Sequence, residues 1–183
     1  NILFRIIKRK IKDEKVLRLI QKILFNLPDG KWGRSYLKLK KGMPLGNLTS
    51  QFFANVYLNE LDYFVKHKLK SKYYIRYVDD FVILHKSKIQ LEIWKIRVDR
   101  FLKDNLSLQL HPDKSRAVSI SKNVDFVGFR NFYYHRLLRK RNLRKIFFKI
   151  TRYHNRGISQ KKFMEVFHGW SAYAKWADSL KLR

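Results

Sequence analysis

Cysteine is missing from this 183-residue chain, and acids are scarce: 14 Asp and Glu stand against 42 Lys and Arg. The lack of cysteine excludes disulfides and thiolate zinc sites, and is compatible with an intracellular protein. The shortage of acids leaves a net charge of +28, which says little about fold and much about partners. Nucleic acid is the first candidate and an anionic membrane surface the second. No apolar run reaches the roughly 18 residues of a membrane span. Internal repeats and low-complexity segments are also absent.

What is present points to a folded domain. A hydrophobic fraction of 45% is enough for one compact core, with room for a small appendage. Aromatics make up 15% of the chain, which argues against a disordered basic tail. The chain starts at Asn1 and is helix-like from Ile2, with no capping signal before it. Ile2, Phe4 or Ile6, Ile11, Leu17, Ile20 and Leu24 share an apolar stripe. A transit peptide or a surface-binding helix would share this basic, amphipathic start. The preferred reading is a fragment entered in the middle of a domain.

Periodicity predicts a helix over 1–26, ended by Pro28-Asp29-Gly30, and a connecting segment over 31–50 with Gly33, Gly42 and Gly46. A second helix covers 48–70, with Phe53, Tyr57, Leu61, Phe64 and Val65 on its apolar face and Asn59, Asp62 and Lys66 opposite. A hairpin follows at 73–85, a third helix at 88–105, and short strands at 108–110, 115–120 and 124–133. Basic helices near 138–155 and 159–178 finish the chain. The order predicts an α+β fold, an antiparallel sheet backed by helices, with a helical appendage.

The stretch "YYIRYVDDFVIL", residues 73–84, places two of the rare acids inside a run of strand formers. The natural reading is a hairpin with Asp79 and Asp80 at the turn. Two carboxylates about 5 Å apart repel by roughly 3 kcal/mol at an effective dielectric of 20. A solvated turn is the plain reading of such a pair. The apolar hairpin favours another: two rigidly aimed oxygen ligands suit Mg²⁺, which takes one or two carboxylates and leaves positions for water and phosphate. Paired metal ions serve phosphoryl transfer, and a positive field around a small negative spot suits an enzyme that processes polyanions. In "KGMPLGNLTSQFFANVYLNELD", residues 41–62, Gly42 and Gly46 bracket Met43-Pro44-Leu45, and Thr49 or Ser50 is placed to cap the next helix. An ordinary loop and N-cap would look the same.

Four segments together resemble the reverse transcriptases. "YVDD" at 77–80 is similar to their Tyr-x-Asp-Asp motif, and "GMPLGNLTSQFFANVYLNELD" to the glycine loop and helix before it. "LHPDKSRAVSISKNVDFVGFR", 110–130, is similar to the lysine-bearing turn and the hairpin that grips the primer, and "FMEVFHGWSAYAKWA", 163–177, to the first thumb helices of bacterial members. Group II intron and retron enzymes usually carry Pro-Gln-Gly in the loop. Here Pro44-Leu45-Gly46, followed by Ser50 and Gln51, resembles the enzymes of diversity-generating retroelements.

The resemblance implies a cytoplasmic, bacterial or phage-encoded RNA-directed DNA polymerase, with no membrane partner and with two Mg²⁺ ions in the complete enzyme. It implies deoxynucleoside triphosphates, template RNA and a DNA primer as substrates, error-prone copying, and an accessory nucleic-acid-binding protein as partner. Residues 1–133 would be the C-terminal part of the palm and 134–183 the start of the thumb. The fingers and the first catalytic aspartate would lie upstream, since Asp13 and Glu14 read as mid-helix. Asp79 and Asp80 would hold metal. Lys114 would stand near the triphosphate, where its charge helps the pyrophosphate leave. Pro44, Leu45, Gly46, Ser50, Gln51 and Tyr77 would shape the nucleotide and template pocket, and Phe126, Gly128 and Phe129 would support the primer end. His111 reads as structural.

The tail adds a reading of its own. Leu143, Ile146, Phe147 and Ile150 make an apolar stripe, and Arg139, Lys140, Arg144, Lys145, Lys149 and Arg152 supply charge. No acid occurs between Asp125 and Glu165, so a duplex phosphate backbone along this helix would relieve the self-repulsion. Two rivals remain: a non-catalytic, maturase-like RNA-binding scaffold of the same fold, and a small basic ribosome-associated protein, which would not need Asp-Asp in an apolar hairpin.

Overall fold

The computed structural model describes residues 2–25 and 48–178, the side chains of Phe25 and Leu48 apart. Pro28-Asp29-Gly30 and the glycine loop with Pro44, Leu45 and Gly46 lie outside the described residues. The chain divides into two compact units, Asn1–Ser115 and Arg116–Arg183.

The first unit opens with two helices where periodicity predicts one: α1, Ile2–Lys10, and α2, Glu14–Phe25. Asp13 makes the break. Its Oδ1 accepts from the backbone N–H of Lys15 at 2.8 Å and of Val16 at 3.1 Å, so it is the N-cap of α2 and not a mid-helix residue. Helix α3, Leu48–Tyr63, runs on through a π turn at Phe64–Lys68. Phe53, Leu61 and Val65 are buried, as their spacing predicts. The hairpin strands are β1, Tyr73–Tyr77, and β2, Asp80–Leu84. Helix α4, Lys88–Leu106, begins at Ser87, whose hydroxyl accepts from Gln90 N–H at 3.2 Å.

A single apolar cluster carries the hairpin. Trp94, Val98, Leu102 and Leu106 of α4 meet Leu61, Val65 and Leu69, with Ile6 from α1. Tyr74, Phe81 and Ile83 pack onto this cluster from the hairpin. The Tyr57 hydroxyl donates to the carbonyl of Leu106, joining α3 to the end of α4. A second cluster, Leu3, Ile7, Leu17 and Phe53, fixes α1 and α2 to α3.

The strands predicted at 108–110 and 115–120 do not form. Local acceptors take backbone N–H groups that a ladder would need: Asp99 Oδ1 accepts from Leu110 N–H at 3.2 Å, and the His111 carbonyl from Ser115 N–H at 3.0 Å. In the second unit the strand predicted over 124–133 is a tight hairpin of β3, Val124–Phe126, and β4, Phe129–Asn131. An unforeseen β5, Arg136–Leu138, completes an antiparallel sheet in the order β3-β4-β5. The 133/134 division falls in the β4–β5 turn. Helices α5, Lys140–His154, and α6, Gln160–Ala174, match the two basic helices closely. Phe129, Leu138, Ala174 and Ala177 form the core of this unit. Among the described residues the fold is α+β, with one small antiparallel sheet and its helices in each unit.

Candidate active site

The register of the hairpin decides where the two acids stand. Tyr77 pairs with Asp80, so the two-residue turn is Val78–Asp79 and Asp80 is the first residue of β2. The turn therefore lies one residue earlier than the Asp79–Asp80 turn read from local preference. Burial sets this register, because a slip by one residue would turn Tyr74, Phe81 and Ile83 away from the core. The opposite face carries Tyr73, Ile75, Tyr77, Asp80, Val82 and Leu84. Tyr73, Ile75 and Tyr77 are 57–60% exposed, an apolar and aromatic platform with Asp80 at its edge.

Both carboxylates are exposed, and among the described residues neither has a hydrogen-bond or ion-pair partner. That is notable in a chain with 42 bases. No group of three or more His, Asp and Glu converges among the described residues. Among the described residues Asp79 and Asp80 thus offer two adjacent hard-oxygen donors with no other partner, a donor set that fits Mg²⁺ with water and phosphate completing its shell.

The turn is strained. Val78 has φ +54°, a left-handed conformation that costs a non-glycine residue about 1–2 kcal/mol and is rarest for β-branched side chains. The strain is braced from behind. Arg76 Nη1 donates to the Val78 carbonyl at 2.6 Å and to Asn55 Oδ1 at 3.0 Å. Its Nε and Nη2 grip Asp62 Oδ1 and Oδ2 at 2.8 and 2.6 Å. The Tyr74 hydroxyl also donates to Asp62 Oδ1, at 2.6 Å. Burial pushes the Asp62 carboxyl up, but the hydrogen bonds from Arg76 and Tyr74 outweigh it and hold the carboxyl below its ordinary range. Burial and the neighbouring Asp62 carboxylate push the Tyr74 hydroxyl well above its own. Asp62 is therefore no solvated residue of the polar helix face, as periodicity suggests, but the anchor of a half-buried network.

The other described site residues fall on separate elements. Ser50 is half-buried and Gln51 exposed in the first turn of α3, and Tyr77 is 60% exposed on the platform. Lys114 sits in an exposed turn, and His111 Nδ1 accepts from Asp113 N–H at 3.3 Å in the same turn, a structural role. In the second unit Val127 and Gly128 form the β3–β4 turn with φ +47° and +84°. Phe129 is buried and stacks on Tyr173 with centroids 4.7 Å apart, while Phe126 is half-buried.

On α5, Lys140, Arg144 and Lys145 are exposed and Lys149 is half-buried. Arg139 faces Asp125 at 3.7 Å, and Arg152 Nη2 donates to the Gly157 carbonyl at 3.0 Å. Phe147 does not join the apolar stripe but is 55% exposed. Two residues escaped the sequence reading: Arg141, exposed on the same face as Arg144 and Lys145, and Phe148, 61% exposed among them. The helical spacing 141, 144, 145, 148 was signal enough.

No curated protein matches the chain. A paired-acid turn on an aromatic platform, braced from helix α3, lies entirely within residues 1–131, the span matched by the family model described as reverse transcriptase (RNA-dependent DNA polymerase), and the chain belongs to that family.

Proposed function

We propose that the chain carries the palm and thumb elements of an RNA-directed DNA polymerase, palm over 1–133 and thumb over 134–183, working by two-metal nucleotidyl transfer. The observation that carries this reading is the pair Asp79 and Asp80, exposed and without a side-chain partner among the described residues, at a strained, braced turn within the family match. These two carboxylates would hold Mg²⁺. Bound there, the metal supplies the charge that activates the primer hydroxyl and stabilises the departing oxygen. Tyr77 and Gln51 border the incoming nucleotide and template, together with Ser50, Pro44, Leu45 and Gly46, and Lys114 neutralises the leaving pyrophosphate.

Phe126 and Gly128 present the primer end, with Phe129 supporting their turn from the core. The exposed cations of α5, Lys140, Arg144 and Lys145, follow the duplex phosphates, and Lys149 lies at their margin. Arg139 and Arg152, already engaged with Asp125 and Gly157, contribute chiefly by holding the ends of α5. Leucine at position 45 supports assignment to an error-prone retroelement enzyme that copies template RNA with an accessory nucleic-acid-binding protein.

The test is Asp79→Asn and Asp80→Asn in the full-length protein. Each removes a ligand charge and no phosphate contact, so primer extension should be abolished and RNA binding retained. Wild-type extension by both variants would overturn the polymerase reading. Loss of RNA binding alongside extension would overturn the separation of metal site from nucleic-acid surface.

A further inference from the structure

We propose that Arg76 is a positioning residue for Asp79: its guanidinium, anchored on Asp62 and Asn55 of α3, selects the form of the Val78–Asp79 turn and so the direction in which the catalytic carboxylates leave the chain. The inference rests on the polymerase reading and adds to it a residue that touches neither metal nor substrate.

The geometry is specific. Arg76 makes four hydrogen bonds with one planar group, two to the Asp62 carboxylate, one to Asn55 and one to the Val78 carbonyl. Its side chain is only 11% exposed. A guanidinium presents five N–H donors in a fixed fork, so seating two of them on Asp62 also fixes where the others point. The carbonyl so held belongs to the central peptide of the two-residue turn. Rotating that peptide is what separates the two hairpin turn forms. One has positive φ at both central residues, the other at the first alone. Here Val78 has positive φ and Asp79 does not. The Arg76 bond to the Val78 carbonyl holds the central peptide in that second form. Releasing it frees the peptide to rotate, which changes φ at Asp79 and re-aims its carboxylate relative to Asp80.

The anchor also ties this turn to the nucleotide side. Gln51 and Asn55 are four residues apart, one above the other on a face of α3, and Asp62 lies two turns further along it. Arg76 therefore refers the metal-bearing turn to the helix proposed to border the nucleotide and template.

The test uses Arg76→Lys, Arg76→Gln and Asp62→Asn in the full-length enzyme, with Asp79→Asn as the reference. Mn²⁺ serves as a paramagnetic probe, and the free ion is measured by electron paramagnetic resonance without nucleic acid or nucleotide. Lysine keeps the charge but cannot hold Asp62 and the Val78 carbonyl together. Half-saturating Mn²⁺ should rise roughly 10- to 100-fold in Arg76→Lys, as for other residues that orient metal ligands. The extension rate at saturating nucleotide should fall over a similar range, with the KM for nucleotide little changed and RNA binding intact. Should Arg76→Gln or Asp62→Asn fail to fold, Arg76→Lys decides the matter. Wild-type Mn²⁺ binding by folded Arg76→Lys, whether or not it is less heat-stable, would reduce Arg76 to a structural residue and overturn the proposal. If Asp79→Asn also bound Mn²⁺ and extended primers as wild type does, the polymerase reading itself would fall, a result distinct from the first.

Discussion

Tyr173 donates its hydroxyl to the carbonyl of Gly128 at 2.7 Å, from 45 residues away in sequence. The same oxygen stands 2.5 Å from where a Cβ on Gly128 would be, and Asn142 donates to it at 3.0 Å. The turn proposed to present the primer end is thus clamped to both helices of its own unit. Gly128→Ala meets two penalties, the φ of +84° and the Tyr173 hydroxyl. It should destabilise the unit by about 2–3 kcal/mol in urea unfolding. In a Tyr173→Phe background the steric part disappears, and the cost of Gly128→Ala should shrink to about 1–2 kcal/mol of backbone strain. Equal costs in both backgrounds would show that the hydroxyl does not crowd the turn.

Asp62 gives the first unit an acid-sensitive element. Its carboxyl is held below the ordinary value, so it binds protons less readily folded than unfolded. The stability it contributes is present above the unfolded-state pKa and is lost as pH falls through the folded one. Asp62→Asn should cost on the order of 2 kcal/mol near neutral pH, since charged hydrogen bonds to Arg76 are lost. The gap from wild type should close as the pH drops below the carboxylate range. Unfolding curves at pH 7 and pH 3 check this, and a gap independent of pH would contradict it.

Charge on α5 should show in salt dependence. Arg144→Ala and Lys145→Ala each remove one exposed cation, and each should make the log–log slope of duplex binding shallower by about 0.9 if its residue neutralises a B-DNA phosphate. Arg152→Ala should instead lower thermal stability, because it strips the Gly157 carbonyl of its donor, and leave the slope nearly unchanged. Binding titrations at several salt concentrations would reveal the reverse order if α5 did not lie on the duplex.

Position 45 should affect fidelity. In the proposed nucleotide pocket a leucine would offer only shape, and contacts of methylene scale discriminate by about 1–3 kcal/mol, far less than polar complementarity achieves. Leu45→Gln in the full-length enzyme should lower misincorporation on an RNA template tested at each base. An active variant with the wild-type error spectrum would remove the support for an error-prone enzyme.

Elements driven by periodic burial were legible in the sequence. Helices α3 to α6 lie within a few residues of their predicted spans because their apolar spacing is what the core reads. Asp13 was legible too and was missed: an Asp ahead of an amphipathic run is a helix start, but the lysine-rich surroundings made one long helix look continuous. Asp62 was not legible. Its partner Arg76 sits on another element, and nothing in the spacing of α3 announces a tertiary ion pair. The turn register was misjudged for a related reason. Local preference put aspartates at the turn, whereas burial of Tyr74, Phe81 and Ile83 put Val78 there despite its branched side chain. Short β5 carries too few residues to show a period at all.

If Asp79 and Asp80 hold the metal, the left-handed Val78 sets heat resistance against activity. A screen of random variants scored only for survival on heating should enrich Val78→Gly or Val78→Asn, because both residues accept the backbone conformation that valine resists. With a glycine there, the peptide between positions 78 and 79 would turn more freely, and the enzyme selected for toughness would aim its acids less well. Improving this scaffold as a laboratory polymerase therefore calls for holding position 78 fixed and seeking robustness elsewhere.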